Sequence, residues 1–387
     1  MAPDGFGSVL TPQAAAEALA AGWVAGAPRD EVTTCGIADG GPGFVATLQA
    51  ALGGALLPVT VRAPFGDPTP ATVLLVDGPD GPTAYVEAAQ AVGLSLVPAD
   101  RRDPTRTSSV GVGDLLAHAR QTGARRVVVG LGGSATTDAG TGMLAGLGLP
   151  DERGLLAGGG GGLARATAAD LAGLAELRAA WAGIEIVVAC DVDVPLLGLQ
   201  GAAAGFSPQK GATPEQAQEL ERALSHVARL AAAALGGAEH PDLLTGRPAG
   251  DRLVTQPGTG AAGGLGFGLA LLGARLVRGA TVVADAVRLD ERIAASDLVV
   301  TGEGRFDWQS LHGKVVSEVA ERALGHAVPT VVVAGEVLVG RREQAAAGIS
   351  AAYAVSSSPD DVPAALADPA GTLAARAAAV ARTWSPA

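Results

Sequence analysis

The densest set of reactive side chains lies between Thr301 and Lys314, in TGEGRFDWQSLHGK. Glu303 and Asp307 are carboxylates, Arg305 a guanidinium and Lys314 an ammonium, and an apolar run at 297 to 301 feeds straight into them. Phosphoryl transfer asks for this set: carboxylates to hold magnesium or receive a hydroxyl proton, and cations to neutralise charge on the phosphates. A solvated loop of mixed charge is the plain alternative. His312-Gly313-Lys314 does not complete a P-loop, because Trp308 stands at the first glycine position of G-x-x-x-x-G-K-[ST] and Val315 at the hydroxyl position.

Three further stretches carry candidate chemistry. Asp191 and Asp193 follow a buried strand, where ligands bind in α/β sheets, and could share a cation or cap the next element. Arg126 to Leu131 reads as a strand that runs into GGSATTDAGTG and then a helix, an arrangement that turns backbone N–H groups toward anions. GTGAAG at 258 to 263 satisfies G-x-G-x-x-G with Asp285 downstream, yet the preceding RLVTQP is short and ends in proline, which disfavours a dinucleotide fold. Close backbone approach to a phosphate or to a neighbouring element explains the same glycines better. Of the 27 basic residues only Lys210 and Lys314 are lysines. Where arginine has replaced nearly every lysine, the survivors are candidates for a compact ammonium that a planar fork cannot replace. Lys210 lies in the polar FSPQKG turn and is expected to be exposed to a cleft or to bulk solvent.

The elements that must hold these residues follow from pattern. Thr11-Pro12 starts a helix through about Ala25. Strands are expected at 32–37, 56–63, 71–76, 83–87, 126–131, 184–189, 297–301 and 329–334. Helices are expected at 111–122, through Leu147, from a Thr213 capping box to about 235, and from 261, 314, 341 and 360. The five glycines at 158–162 read as a flexible surface loop. The alternation in the last third is that of parallel α/β structure.

Composition narrows the functional classes. The chain has 387 residues, 48% of them hydrophobic, which gives ample core for two or three domains. Its net charge is -12, and no basic stripe stands out, so nucleic-acid binding is disfavoured. Six Phe, four Trp and two Tyr are too few for stacking platforms. Cys35 and Cys190 show neither disulfide nor metal-ligand spacing, and MAPDGFGSVLTPQ lacks the pattern of a signal peptide. A reducing, cytoplasmic setting is expected. Residues 257–274 are uncharged but hold seven glycines and a proline, so a glycine-rich loop entering a buried helix is expected there, with no membrane span.

Five segments in order, GGSATTDAGTGM (132–143), ACDVDVPLLG (189–198), PQKGA (208–212), GTGAAGGLG (258–266) and TGEGRFDWQSLHGK (301–314), resemble the type-1 glycerate kinase family. Ala2-Pro3-Asp4, Ala38-Asp39-Gly40-Gly41, Leu96-Val97-Pro98 and RDPTRTSSVGVGDLL (102–116) support the resemblance, which spans nearly the whole chain. It implies an α/β fold of two domains: a discontinuous flavodoxin-like domain (1–65 and 285–387) and an inserted mixed-sheet α/β domain (66–284), with the active site in the cleft between them. It also implies ATP-dependent, magnesium-dependent phosphorylation of D-glycerate or a related small hydroxy acid. The acid–base and phosphate chemistry would fall to Asp191, Lys210, Glu303, Arg305, Asp307 and Lys314, with Asp191 and Glu303 as magnesium ligands. Substrate or nucleotide would be bound by Asp4, Asp39, Gly132, Gly133, Ser134, Asp138, Gly260 and Gly263. A homodimer is left open.

The departures from the family pattern are specific. Gly7 stands where a lysine is usual, Pro42 for a glutamate, Phe44 for a threonine, Val194 for an asparagine, and Thr137 and Ala139 in S-A-T-N-D-G-G. A strand that usually precedes the first motif is not seen, since the chain starts at that motif. The loss of an ammonium, a carboxylate and an amide points to a less polar acceptor, or to a weakened paralogue that binds a ligand or protein partner.

Overall fold

The computed structural model describes residues 1–7, 9–191, 193–236, 250–311 and 313–385; His312 of the HGK triplet lies outside them. The chain divides into two compact units. A terminal unit holds residues 1–39, 46–53 and 278–387, and a central unit holds 40–45 and 54–277.

The central unit is built on one mixed six-stranded sheet whose strands lie in chain order: β1 (Ala55–Arg62), β2 (Pro68–Val76), β3 (Thr83–Glu87), β4 (Arg126–Gly130), β5 (Glu185–Ala189) and β6 (Arg275–Val277). The first three pair antiparallel, and β3 to β6 pair parallel. Strands β4 and β5 read as unbroken Val and Ile runs because they are covered on both faces. Residues 54 to 65, expected in the terminal domain, belong here because β1 finds its ladder partner in β2. The helix Pro214–Ala234 starts where its sequence places it. Thr213 Oγ1 accepts from Gln216 N–H, and Gln216 Oε1 accepts from Thr213 N–H.

The glycine run at 158–162 is packed rather than loose. It opens the short helix Gly160–Arg165, and a Cβ on Gly160 would stand 2.1 Å from the Thr137 carbonyl oxygen. The absence of side chains serves close contact there.

In the terminal unit β7 (Val299–Thr301), β9 (Thr330–Ala334) and β11 (Ile349–Ala354) form a parallel sheet in the order β11-β9-β7. Two extended segments continue it. Ala2 and Asp4 donate N–H to the carbonyls of Val300 and Gly302, and Cys35 and Ile37 donate to those of Met1 and Pro3. The order across this layer is therefore 33–37, 1–4, β7, β9, β11, every neighbour running parallel. The first motif, Met1 to Asp4, thus takes a place within this layer.

Beyond β7 and β9 the chain continues side by side as β8 (Arg305–Phe306) and β10 (Glu336–Val337). Glycines permit the approach, since a Cβ on Gly302 would fall 1.9 Å from the Val333 carbonyl oxygen. The Ala-rich helix Pro12–Gly26 lies against the C-terminal helix Pro369–Trp384, with Gly22 and Gly26 facing the backbone of Ala374 and Ala378.

Candidate functional site

In the terminal unit the reactive residues gather at the carboxyl ends of parallel segments. Asp4 ends the segment 1–4, Asp39 follows 33–37, and Glu303 follows β7. Successive segments are laid down in one direction from 1–4 to 33–37 and in the other from 1–4 to β7, and the crevice outside that reversal of strand order is where open α/β sheets bind ligands. Asp4 and Glu303 flank it.

Burial sets the electrostatics. Glu303 is 7% exposed, and burial pushes its carboxyl up to about 7; Ser310 and Lys314 oppose the shift, while Asp307 and Asp39 add to it. Its Oε1 atom finds no hydrogen-bond partner among the described residues. Burial likewise holds Asp4 well above the ordinary carboxylate range, with Asp39 and Glu303 adding to the rise and the Gly5 N–H and Lys314 opposing it. Desolvation of this kind favours the protonated acid, and a nearby cation would restore the charged form.

The Asp307 turn is ordered by its own contacts. Asp307 Oδ1 accepts from Gln309 N–H at 2.9 Å, and Asp307 N–H donates to Ser310 Oγ at 3.1 Å. Arg305 is exposed, with Nε 3.8 Å from Asp307 and 3.9 Å from Glu336. Lys314 caps the helix Val315–Gly325 in extended backbone, and its side chain is half-buried.

In the central unit Lys210 departs from expectation. It is 3% exposed, donating from Nζ to Ser134 Oγ at 3.0 Å and to the Thr136 carbonyl at 2.6 Å. The polar turn that carries it folds the ammonium under the 132–136 loop, where hydroxyl and carbonyl replace water. Burial brings its pKa down to about 7, opposed by the nearby Asp138 charge. Thr136 Oγ1, buried in the same loop, has no hydrogen-bond partner among the described residues.

Asp138 is fully buried. Its Oδ2 accepts from Ser109 N–H at 2.7 Å and its Oδ1 from Gly140 N–H at 3.0 Å, so it braces the loop. Gly132 and Gly133 lie against Gly41 and Pro42; a Cβ on Gly132 would be 2.6 Å from the Gly41 Cα. Gly260 and Gly263 serve neighbouring backbone: Cβ atoms there would stand 2.1 Å from the Pro195 carbonyl oxygen and 1.9 Å from that of Thr136. Asp191 is half-buried just past β5, while Asp193 is exposed. Phe44, which stands where the family pattern has a threonine, is core, packed on Gly130 and tilted against Tyr85 at 6.4 Å.

One residue the pattern did not single out is Glu87, which closes the otherwise apolar β3. Its oxygens accept from Gly43 and Val45 N–H, fixing the loop that holds Pro42, and burial raises its pKa. A carboxylate ending a buried strand was the available signal.

Among the described residues no three His, Cys, Asp or Glu side chains form a ready metal cage. Magnesium takes one or two carboxylates plus substrate phosphates, and the orphaned Glu303 oxygen in a desolvated acid cluster fits that mode. Nor is any described helix long and apolar enough to cross a membrane. Both cysteines are buried, and neither is in a disulfide.

These features define an α/β protein in which acid and lysine groups close the carboxyl ends of parallel strands, flanked by glycine-built loops. The family is then specific: the chain belongs to the glycerate kinase family, whose model matches residues 1–385. It is 40% identical over 342 residues to a glycerate kinase of Bacillus subtilis (87% of this chain, 84% of the relative). The same identity and coverage relate it to a glycerate 2-kinase of Escherichia coli. A crystal structure described as that of a candidate glycerate kinase 2 from Salmonella typhimurium LT2 matches with a TM-score of 0.75 at 36% identity, covering 99% of this chain and 96% of that one.

Proposed function

We propose that this protein transfers the γ-phosphoryl group of ATP to a hydroxyl of D-glycerate or a closely related small hydroxy acid, in the cytoplasm. The observation that carries the reading is the buried Glu303 carboxylate with its unpartnered Oε1, set beside Asp4, Asp39 and Lys314 at the switch point of a parallel sheet. That layer has the strand order of flavodoxin-like domains, and the names of the relatives at 40% identity supply the acceptor class.

In the transfer, the acceptor oxygen bonds to the γ-phosphorus as the bond to the ADP oxygen breaks, and the hydroxyl proton leaves to a carboxylate. Asp307, ordered by Gln309 and Ser310, is assigned the acceptor hydroxyl, and Glu303 the metal, with Asp191 as the competing ligand. Magnesium, when bound, neutralises charge on the phosphate oxygens. Arg305 and Lys314 supply positive charge to the transferring group, and Lys210 fixes the Ser134–Thr136 loop from beneath.

ATP turnover across a panel of small hydroxy acids tests the proposal. Turnover with glycerate or a close relative supports it, whereas no turnover with any member favours a paralogue that only binds. The absent polar groups at Gly7, Pro42 and Val194 are the observation that keeps this second reading in view.

A further inference from the structure

The central unit carries a cavity of about 670 Å³ whose charged lining is Arg106, Arg165, Arg222 and Glu219. None of these four residues is in the set assigned to phosphoryl transfer. The three arginines come from separate segments: the loop before the helix Val110–Gln121, the end of Gly160–Arg165, and the helix Pro214–Ala234. All three are exposed at the cavity and make no ion pair among the described residues. Some arginines elsewhere pair, as Arg62 does with Asp114 and Arg322 with Asp285 and Asp290, while others, such as Arg341 and Arg342, make no ion pair among the described residues; what sets these three apart is that they line one cavity. In a chain of net charge -12, three guanidiniums lining one cavity with a single glutamate form a local cationic excess that favours an anion.

The recess is also preformed. Gly154, Gly158, Gly161 and Gly162 line it, so no side chain fills the space. The backbone around them is locked: Gly161 N–H donates to the Thr105 carbonyl at 2.8 Å, and Arg153 holds both Asp170 and the Arg165 carbonyl. Gln216 adds an amide donor, since its Oε1 is already taken by Thr213 N–H.

We propose that this cavity is a binding site for a small multivalent oxyanion, a polycarboxylate or a compact phosphate, gripped by the guanidinium forks of Arg106, Arg165 and Arg222. Forked donors match carboxylate and phosphate oxygens in pairs, and a rigid recess lowers the ordering cost of binding.

Calorimetric titration of the full chain at low ionic strength, with sodium citrate and sodium pyrophosphate as probes, tests this. At least one probe should bind saturably, and Arg106→Gln/Arg165→Gln/Arg222→Gln should weaken it by about tenfold or more, or about 1.4 kcal/mol, while the thermal unfolding profile stays that of wild type. Glu219→Gln, which removes only the opposing charge, should tighten binding by about threefold. Absence of saturable binding by either probe overturns the proposal. So does binding retained by the triple variant, which would place the anion elsewhere, or a Glu219→Gln affinity equal to that of wild type.

Discussion

Lys210→Met keeps the aliphatic stem of Lys210 and removes its ammonium, which isolates the effect of burying that charge. An amine in the unfolded chain holds its proton up to about pH 10.4, whereas Lys210 in the folded protein holds it only to about 7. Between those values the unfolded state binds the extra proton, so wild-type stability rises with pH across this window, and the burial penalty is complete below pH 7. At about 1.36 kcal/mol per pH unit the penalty at pH 6 is about 5 kcal/mol. Methionine also forfeits the bonds to Ser134 Oγ and the Thr136 carbonyl, worth about 1 kcal/mol each to a neutral amine. The variant should therefore be about 3 kcal/mol more stable than wild type at pH 6 and about 2 kcal/mol less stable near pH 10.5, crossing in between. Hydrogen exchange of the β4 amides reads the stability of the central unit directly. Because the chain has only two lysines, a lysine-labelled NMR spectrum assigns the Lys210 signal by its loss in the variant. If that signal stays charged above about pH 9, or the stability difference does not change with pH, the reasoning from burial fails.

Glu303→Gln should stabilise the terminal unit by about 3 kcal/mol at pH 8 and leave it unchanged at pH 4. The wild-type carboxyl is raised by burial to about 7, so its charging penalty is complete above that pH and absent below the unfolded value. The same variant should lose at least about tenfold in turnover and need more magnesium, and an unchanged magnesium titration would move the metal to Asp191. Gly263→Ala should cost at least about 2 kcal/mol, because its Cβ would meet the Thr136 carbonyl oxygen at 1.9 Å in a backbone of φ +71, while Gly183→Ala, with nothing nearby, should be neutral by chemical denaturation. Gly7→Lys/Pro42→Glu/Val194→Asn should raise kcat/KM on glycerate at a stability cost of about 1 kcal/mol, since Gly7 has φ +57. Unchanged or lower activity in that triple variant, alongside efficient glycerate turnover by wild type, would show that these positions do not shape the acceptor site.

Much of the fold could be read because each element carried a local signal. Thr11-Pro12 and Thr213-Pro214 start helices in the structure as their capping chemistry requires, and the valine runs of β4 and β9 are strands buried on both faces. The terminal sheet was harder to read at its first member: 33–37 falls within the strand expected at 32–37, but 1–4 is a short extended segment tied by backbone bonds to partners far away in sequence. Glycines were ambiguous for a similar reason: a glycine that approaches a phosphate and one that approaches a carbonyl look alike until the partner is known. Gly160, Gly260 and Gly263 all turn out to face carbonyl oxygens.

Lys210 shows why composition can single out a residue and still misplace it. The scarcity of lysine argued for an ammonium that arginine cannot replace, and polarity of the FSPQKG turn argued for exposure. The first inference concerns shape and the second solvent, and burial overturns the second. A compact ammonium on a flexible stem reaches under the 132–136 loop and donates to one hydroxyl and one carbonyl. A planar guanidinium in the same enclosure would carry five N–H donors into a space that answers two, leaving the rest desolvated and unpaired. Retention of lysine at 210 is thus accounted for by the polarity of the loop above it, before any phosphate is considered.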